Sequence, residues 1–327
     1  MIYTVDRVQF EASGQLVFFE FYNDSNDNEQ FVRRKFESLS KISKESLFFV
    51  KYNDNYRNEN GVRVWSNGKN KTYKWNEYKQ WFLSKNGEAL NNSVLKSKPL
   101  GSATDNEGDP YINEILKEVH EISFCLDDNG LSITKEALGK ESTYGFDFDI
   151  FDDINKTLVE FLNNETKQKG KNPIENTQAH PMRYAWISDR EQEEFAKKMK
   201  KEKPSWKNPR KIDNRQKYIS LWRAKQKLEG ELYLVNYNKN DKTEDLSIIE
   251  VVDLDEDKGI MGDISYKVTY KDMVSWLEKM NTDPVAAKQY LTTFPKEIRN
   301  IEFWLKYYSN QEKYPIPKRS HIGKDYK

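Results

Sequence analysis

Apolar side chains cluster and alternate at the start of the chain, in Val5, Val8 and Phe10 and then from Leu16 to Phe19. This is the pattern of a strand hairpin, and Ala12-Ser13-Gly14 suits a three-residue turn with Gly14 left-handed. From Gln30 to Ile42 the spacing becomes helical, through Phe31, Phe36 and Leu39. Leu47-Phe48-Phe49-Val50 then predicts a short buried strand, followed by a strand pair and a helix over Asn76–Lys85. Residues 88–110 are rich in Ser, Asn, Gly and Pro and predict a linker or long loop. Tyr111–Val119 has helical spacing, and Ile122–Ile133 predicts a hairpin turning at Asp128-Asn129-Gly130.

From about residue 144 the first pattern returns. Phe146–Phe151 and Thr157–Leu162 predict a hairpin turning near Ile154-Asn155, Gln216–Leu228 a helix, and Leu232–Val235 a strand. A strand pair and a helix over Lys271–Asn281 complete the echo. Short matches recur in order: Glu20-Phe21-Tyr22-Asn23 with Glu160-Phe161-Leu162-Asn163, Gln30 with Gln216, Phe48–Asn53 with Tyr233–Asn238, and Trp81–Asn86 with Trp276–Asn281. The expected organisation is a first αβ repeat over 1–87 and a linker with a helix and hairpin over 88–142. A second repeat with an insert spans 143–282, and a C-terminal helix with a basic tail spans 283–327. The fold class is mixed α/β, with two tandem units.

Composition narrows the function classes. Lys and Arg total 53 against 53 Asp and Glu, so no global field steers the protein towards nucleic acid or membrane, and any such partner meets a local patch. The 13% of aromatic residues argues for a folded core despite 32% charged residues. Cys125 is the only cysteine, which excludes an internal disulfide and a cysteine-based zinc site. The start MIYTVDRVQF has no signal-peptide pattern, and no stretch is apolar enough for a membrane helix, so a cytoplasmic protein is expected.

The hairpins carry paired acids. A turn at residues 12–14 sets Asp6 opposite Glu20, and a turn at Ile154-Asn155 sets Asp149 opposite Glu160. Opposed residues share a face with Cβ atoms about 5 Å apart, and two carboxylates that close repel unless a cation or proton lies between them. A hard divalent ion such as Mg²⁺ suits such a pair. Asp147, Asp152 and Asp153 also read as turn and surface acids.

An acid on one strand, Glu near the end of the next, a helix bearing Gln and a following buried strand together resemble the restriction-endonuclease-like nucleases. The resemblance covers roughly residues 1–55 and 145–238 and implies that Asp149 and Glu160, with Asp6 and Glu20 in the first copy, hold Mg²⁺. The family's lysine two residues after the Glu is replaced by Tyr22 and Leu162. The resemblance then implies a basic group from the next helix, where Lys35 and Lys217 stand, or else a fold that has lost its chemistry.

Between Lys197 and Lys227 lie thirteen Lys and Arg residues against two acids, Glu202 and Asp213. Trp206, Tyr218 and Trp222 are interleaved. Cations reach phosphates and aromatic faces stack on bases, so Trp206, Lys207, Arg210, Lys211 and Arg215 are candidate nucleic-acid contacts, the same composition also fitting a solvated helix whose aromatics face the core. The expected function is nucleic-acid processing, by Mg²⁺-dependent phosphodiester hydrolysis with Asp149, Glu160 and Lys217 as catalytic groups, in a defence or mobile-element setting. The alternative is a catalytically inactive module that binds DNA, RNA or a protein partner. Asp253–Gly259 begins like a calcium loop but has Lys258 at its glycine position and Ile264 at its Glu position, so a hairpin loop is the better reading. The three histidines share no spacing, and no glycine-rich phosphate loop is present.

Overall fold

The computed structural model describes residues 1–11, 13–24, 29–42, 46–58, 61–86, 109–120, 130–139, 145–163, 194, 196–205, 215–238, 242–243 and 245–309. They form a mixed α and β protein that divides into two compact units. The first comprises Met1–Leu158 with Gln226–Gly230, the second Val159–Lys225 with Glu231–Lys327.

In the first unit, β1 (Ile2–Phe10) and β2 (Leu16–Asn23) form the expected hairpin. Its turn is closed by the Glu11 N–H on the Gln15 carbonyl at 2.9 Å, with Gly14 at φ 76°. Helix α1 (Glu29–Ile42) carries the chain over to β3 (Leu47–Tyr52), which runs parallel to β2 as a helical crossover requires. The antiparallel strands β4 (Val62–Ser66) and β5 (Lys69–Tyr73) follow, then α2 (Trp75–Ser84). Strand β6 (Phe146–Asp152) pairs with β1, with irregularities on both sides of Val5, so the order is β6-β1-β2-β3-β4-β5.

Every residue of β2 but the last is buried, as befits a central strand covered on both faces. Val17, Phe19 and Phe21 face a core with Tyr78 and Phe82 of α2 and with Ile133 and Leu138. Tyr22 faces the other way, packing with Phe49 and with Val32 and Phe36 of α1. Helix α3 (Asp109–His120) lies where helical spacing predicts it. Of the hairpin expected over Ile122–Ile133, residues 122–129 lie outside the described residues, and its expected return strand is instead the start of a helix, α4 (Leu131–Leu138), with Gly130 before it at φ 94° as its left-handed N-cap. Ile133 and Leu138 thus meet the core as residues of one helix.

The second unit holds most of β7 (Thr157–Asn163) and of α5 (Arg215–Leu228), with all of β8 (Leu232–Tyr237), β9 (Leu246–Asp255), β10 (Gly259–Val268) and α6 (Tyr270–Thr282). It continues with α7 (Pro284–Leu291), β11 (Lys296–Arg299) and α8 (Ile301–Ser309), in the strand order β7-β8-β9-β10-β11. The short α7 and β11 were not expected from sequence, and the expected C-terminal helix forms at Ile301–Ser309. Asp255 caps the β9–β10 turn by accepting from the N–H groups of Asp257 and Lys258, so the Asp253–Gly259 stretch is a hairpin loop. No helix among the described residues is long and apolar enough to cross a membrane.

From β1 to α2 and from β6 to α6 the bounded elements follow a similar order of two strands, a helix, three strands and a helix, the second run having additional helical residues at 196–202 before α5. Helices α1 and α5 both have 14 residues, and β3 and β8 both have 6. The pairings match too: Phe49 opposes Trp65 and Lys51 opposes Arg63, while Leu234 opposes Ile249 and Asn236 opposes Ser247. Trp81 is the seventh residue of α2 and packs edge-on against Phe48 at 5.2 Å. Trp276 is the seventh residue of α6 and packs edge-on against Tyr233 at 5.4 Å.

Candidate functional site

The β1–β2 register runs from Phe10 opposite Leu16 to Arg7 opposite Phe19, and one more step sets Asp6 opposite Glu20. At that step side chains replace ladder bonds. The Phe21 N–H donates to Asp6 Oδ2 at 2.8 Å, and the Asp6 N–H donates to Glu20 Oε1 at 3.3 Å. Helix α1 brings Lys35 onto the pair: its Nζ lies 3.0 Å from Asp6 Oδ1 and 2.6 Å from Glu20 Oε2, and donates to Thr4 Oγ1 at 3.4 Å. The ammonium therefore occupies the position between two opposed acids where a cation is needed.

This triad is sealed. The side chains of Lys35, Asp6 and Glu20 are 4%, 7% and 0% exposed. Burial, reinforced by the neighbouring Asp6 charge, pushes the Glu20 carboxyl up to about 8. Burial alone would push the Lys35 ammonium down, but Asp6 and Glu20 outweigh it and hold it above its ordinary value. Mg²⁺ does not fit this arrangement. An ammonium at contact distance from both carboxylates repels a divalent ion and fills its place, and the closed surroundings leave no path for the waters that Mg²⁺ keeps. In the position expected for a metal between Asp6 and Glu20 stands the Lys35 ammonium.

The second unit holds a more open glutamate–lysine pair. Glu160, fully buried on β7, pairs with Lys217 of α5. Here the lysine is 39% exposed and the glutamate 1%. The lysine expected from the helix thus reaches the glutamate in both units. Asp149 lies half-buried on β6. Asp152, the last residue of β6, accepts the N–H groups of Ile154 and Asn155 at 3.1 Å each but is fully buried and not a surface acid, while Asp153 pairs with the N-terminal ammonium at 2.6 Å.

Of the candidate nucleic-acid contacts, Arg215 is the half-buried first residue of α5, and Trp206, Lys207, Arg210 and Lys211 lie outside the described residues. Tyr218 and Trp222 are buried, with Lys225 Nζ 4.1 Å above the Trp222 ring, so these two aromatics belong to the core and not to a stacking surface. Helical periodicity explains this: Tyr218, Leu221, Trp222 and Leu228 recur at the spacing of one buried face.

A feature missed in the sequence lies beside the sealed triad. Glu20 is level with Phe49 across β2–β3, and Phe49 is level with Trp65 across β3–β4. Phe36, Phe49 and Trp65, with Arg33, Lys51 and Arg63, line a cleft of about 230 Å³. The signal was present in Val62-Arg63-Val64-Trp65, whose alternation puts Arg63 on the exposed side. No family model matches the chain, and neither a curated protein nor a solved structure does.

Proposed function

We propose that this protein is built from two divergent copies of one αβ unit, binds nucleic acid, and in its first unit has exchanged metal chemistry for an internal lysine. The observation that carries the last point is the Lys35 ammonium seated between Asp6 and Glu20, all three shielded from water. An ion triad of this kind fixes the β1–β2–α1 junction and presents no water or metal to a phosphate. The repeated element order and strand pairing support duplication. The thirteen cations of Lys197–Lys227 and the layout of acids, helix lysine and buried strand support nucleic acid as the partner.

The test is binding of labelled single- and double-stranded DNA and RNA with EDTA or with Mg²⁺. Salt-sensitive binding that survives EDTA is expected. Absence of binding to every nucleic acid at low salt overturns the reading. Mg²⁺-dependent cleavage abolished by Glu20→Gln overturns the assignment of the first unit as chemically silent.

One observation favours a second reading, phosphodiester hydrolysis by the second unit. Lys217 is 39% exposed where Lys35 is 4%, so the Glu160–Lys217 pair is open to a substrate in a way the first pair is not. Cleavage in Mg²⁺ that is lost in Glu160→Gln with binding retained would establish it. Binding without cleavage of any substrate would exclude it.

A further inference from the structure

We infer that the cleft between α1, β3 and β4 of the first unit takes one unpaired nucleobase with its phosphate, presented by a nucleic-acid strand. The inference rests on the nucleic-acid reading above and deepens it.

Arg33, Lys51 and Arg63 line the cleft over an aromatic floor. The Phe49 ring packs against Phe36 at 5.3 Å and against Trp65 at 5.5 Å. Lys51 and Arg63 are directly opposed across β3–β4. Like charges directly opposite destabilise a sheet. Lys51 is balanced by Asp24 at 2.6 Å, and Arg63 lies over the Trp65 ring at 5.5 Å. Asp24 offsets Lys51 alone, so the opposed pair keeps a net positive charge that a phosphate in the cleft would meet.

The second unit shows that the fold does not demand this arrangement. There the corresponding opposed pairs are Asn236 with Ser247 and Leu234 with Ile249, and all four residues are buried. Positions that one unit spends on a closed core carry, in the other, cations and a half-buried indole. The cleft is smaller than the roughly 300–1,000 Å³ of pockets that enclose a drug-sized ligand, so it suits a single flat ring system. A base stacks on an aromatic face whatever its identity, and arginine and lysine hold the adjoining phosphate. A base in a duplex is stacked on both sides, so the cleft selects unpaired strands.

The experiment uses the full chain and two variants that copy the second unit, Lys51→Asn with Arg63→Ser, and Trp65→Ile alone. Binding of a labelled oligothymidylate and of a duplex of equal length is followed by fluorescence anisotropy at fixed salt. A nucleoside monophosphate is titrated separately. Melting curves confirm that each variant folds. Stacking of one base contributes about tenfold in affinity, so Trp65→Ile is expected to lose about tenfold for the single strand and little for the duplex, and the double variant, which removes two phosphate-holding cations, to weaken the single strand more than the duplex. Wild-type binding that both folded variants retain overturns the cleft while leaving the nucleic-acid reading intact. Binding of the monophosphate, lost in the variants, with no affinity for any strand, overturns the nucleic-acid reading and reassigns the cleft to free nucleotides. Equal losses for single strand and duplex overturn selection of an unpaired base.

Discussion

Lys35 and Lys217 occupy positions one helical turn apart along two separate 14-residue helices, and each reaches the buried glutamate of the preceding strand. Lys35 is the seventh residue of α1 and Lys217 the third of α5, and positions four apart share a helix face. Either residue can thus serve the same strand position. The two solutions differ in exposure, and that difference has energetic consequences.

Replacing Lys35 with Met leaves Asp6 and Glu20 buried against one another with no cation. Breaking a buried pair in this way costs about 3–5 kcal/mol. Lys217→Met removes a partner whose ammonium is already partly hydrated, so a smaller loss is expected. Denaturant unfolding of both variants at pH 7.5 compares them. Equal losses would mean that exposure does not distinguish the two sites.

Glu20 gives the first unit a dependence on pH. Its carboxyl is held at about 8, above its ordinary value, first by burial and then by Asp6. The folded state therefore keeps a proton that the unfolded chain releases. Stability from this group is fully present below the ordinary carboxylate range and is lost as pH rises towards 8. The slope for one proton is at most about 1.4 kcal/mol per pH unit. Glu20→Gln cannot titrate, so its unfolding free energy should fall less than wild type between pH 5 and 8. Parallel pH profiles would show that Glu20 stays ionised.

Much of this arrangement was legible in the sequence because it rests on local rules. Gly14 marks the β1–β2 turn, and that turn fixes a register that sets Asp6 against Glu20. The change from alternating to helical spacing marks α1. Lys35 was visible as a cation on the right helix, but its place between the acids depends on how α1 crosses the sheet, which no local pattern encodes. The stretch Ile122–Ile133 misled because Asn-Gly marks a hairpin turn and a left-handed helix start equally well. Tyr218 and Trp222 misled because an aromatic among cations has the composition of a stacking surface, and only burial tells the two apart. The cleft went unread because its six lining residues come from three elements spread over residues 33 to 65.

In the second unit, Trp304 and Asp263 offer a separate test. The Trp304 indole N–H donates to Asp263 Oδ1 at 2.8 Å, and Arg299 Nε lies 3.2 Å from Oδ2, both inside the core. Burial, opposed by Arg299, pushes the Asp263 carboxyl up to about 6. Trp304→Phe removes a donor from a buried carboxylate, at a cost of about 1–3 kcal/mol beyond the cavity it leaves. That cost should be smaller at pH 5, where the acid is largely protonated, than at pH 8, where it is ionised. A loss of stability independent of pH would assign the effect to packing alone.

The basic segment and the cleft separate by salt. Each phosphate neutralised releases counterions, so the logarithm of affinity falls with the logarithm of salt at about 0.7–0.9 per contact. Neutralising Lys207, Arg210, Lys211 and Arg215 together should lower that slope by up to about 3 and weaken single strand and duplex alike. These side chains would act as point charges on the backbone, and phosphates are spaced along every strand whatever its bases. Trp65→Ile should leave the slope unchanged, because stacking releases no counterion, while lowering single-strand affinity at every salt concentration. Anisotropy titrations at four salt concentrations, on single strand and duplex, measure both effects. If the fourfold variant keeps the wild-type slope, Lys197–Lys227 is a solvated surface. Strand affinity would then rest on cations elsewhere, with Arg33, Lys51 and Arg63 the first to be neutralised.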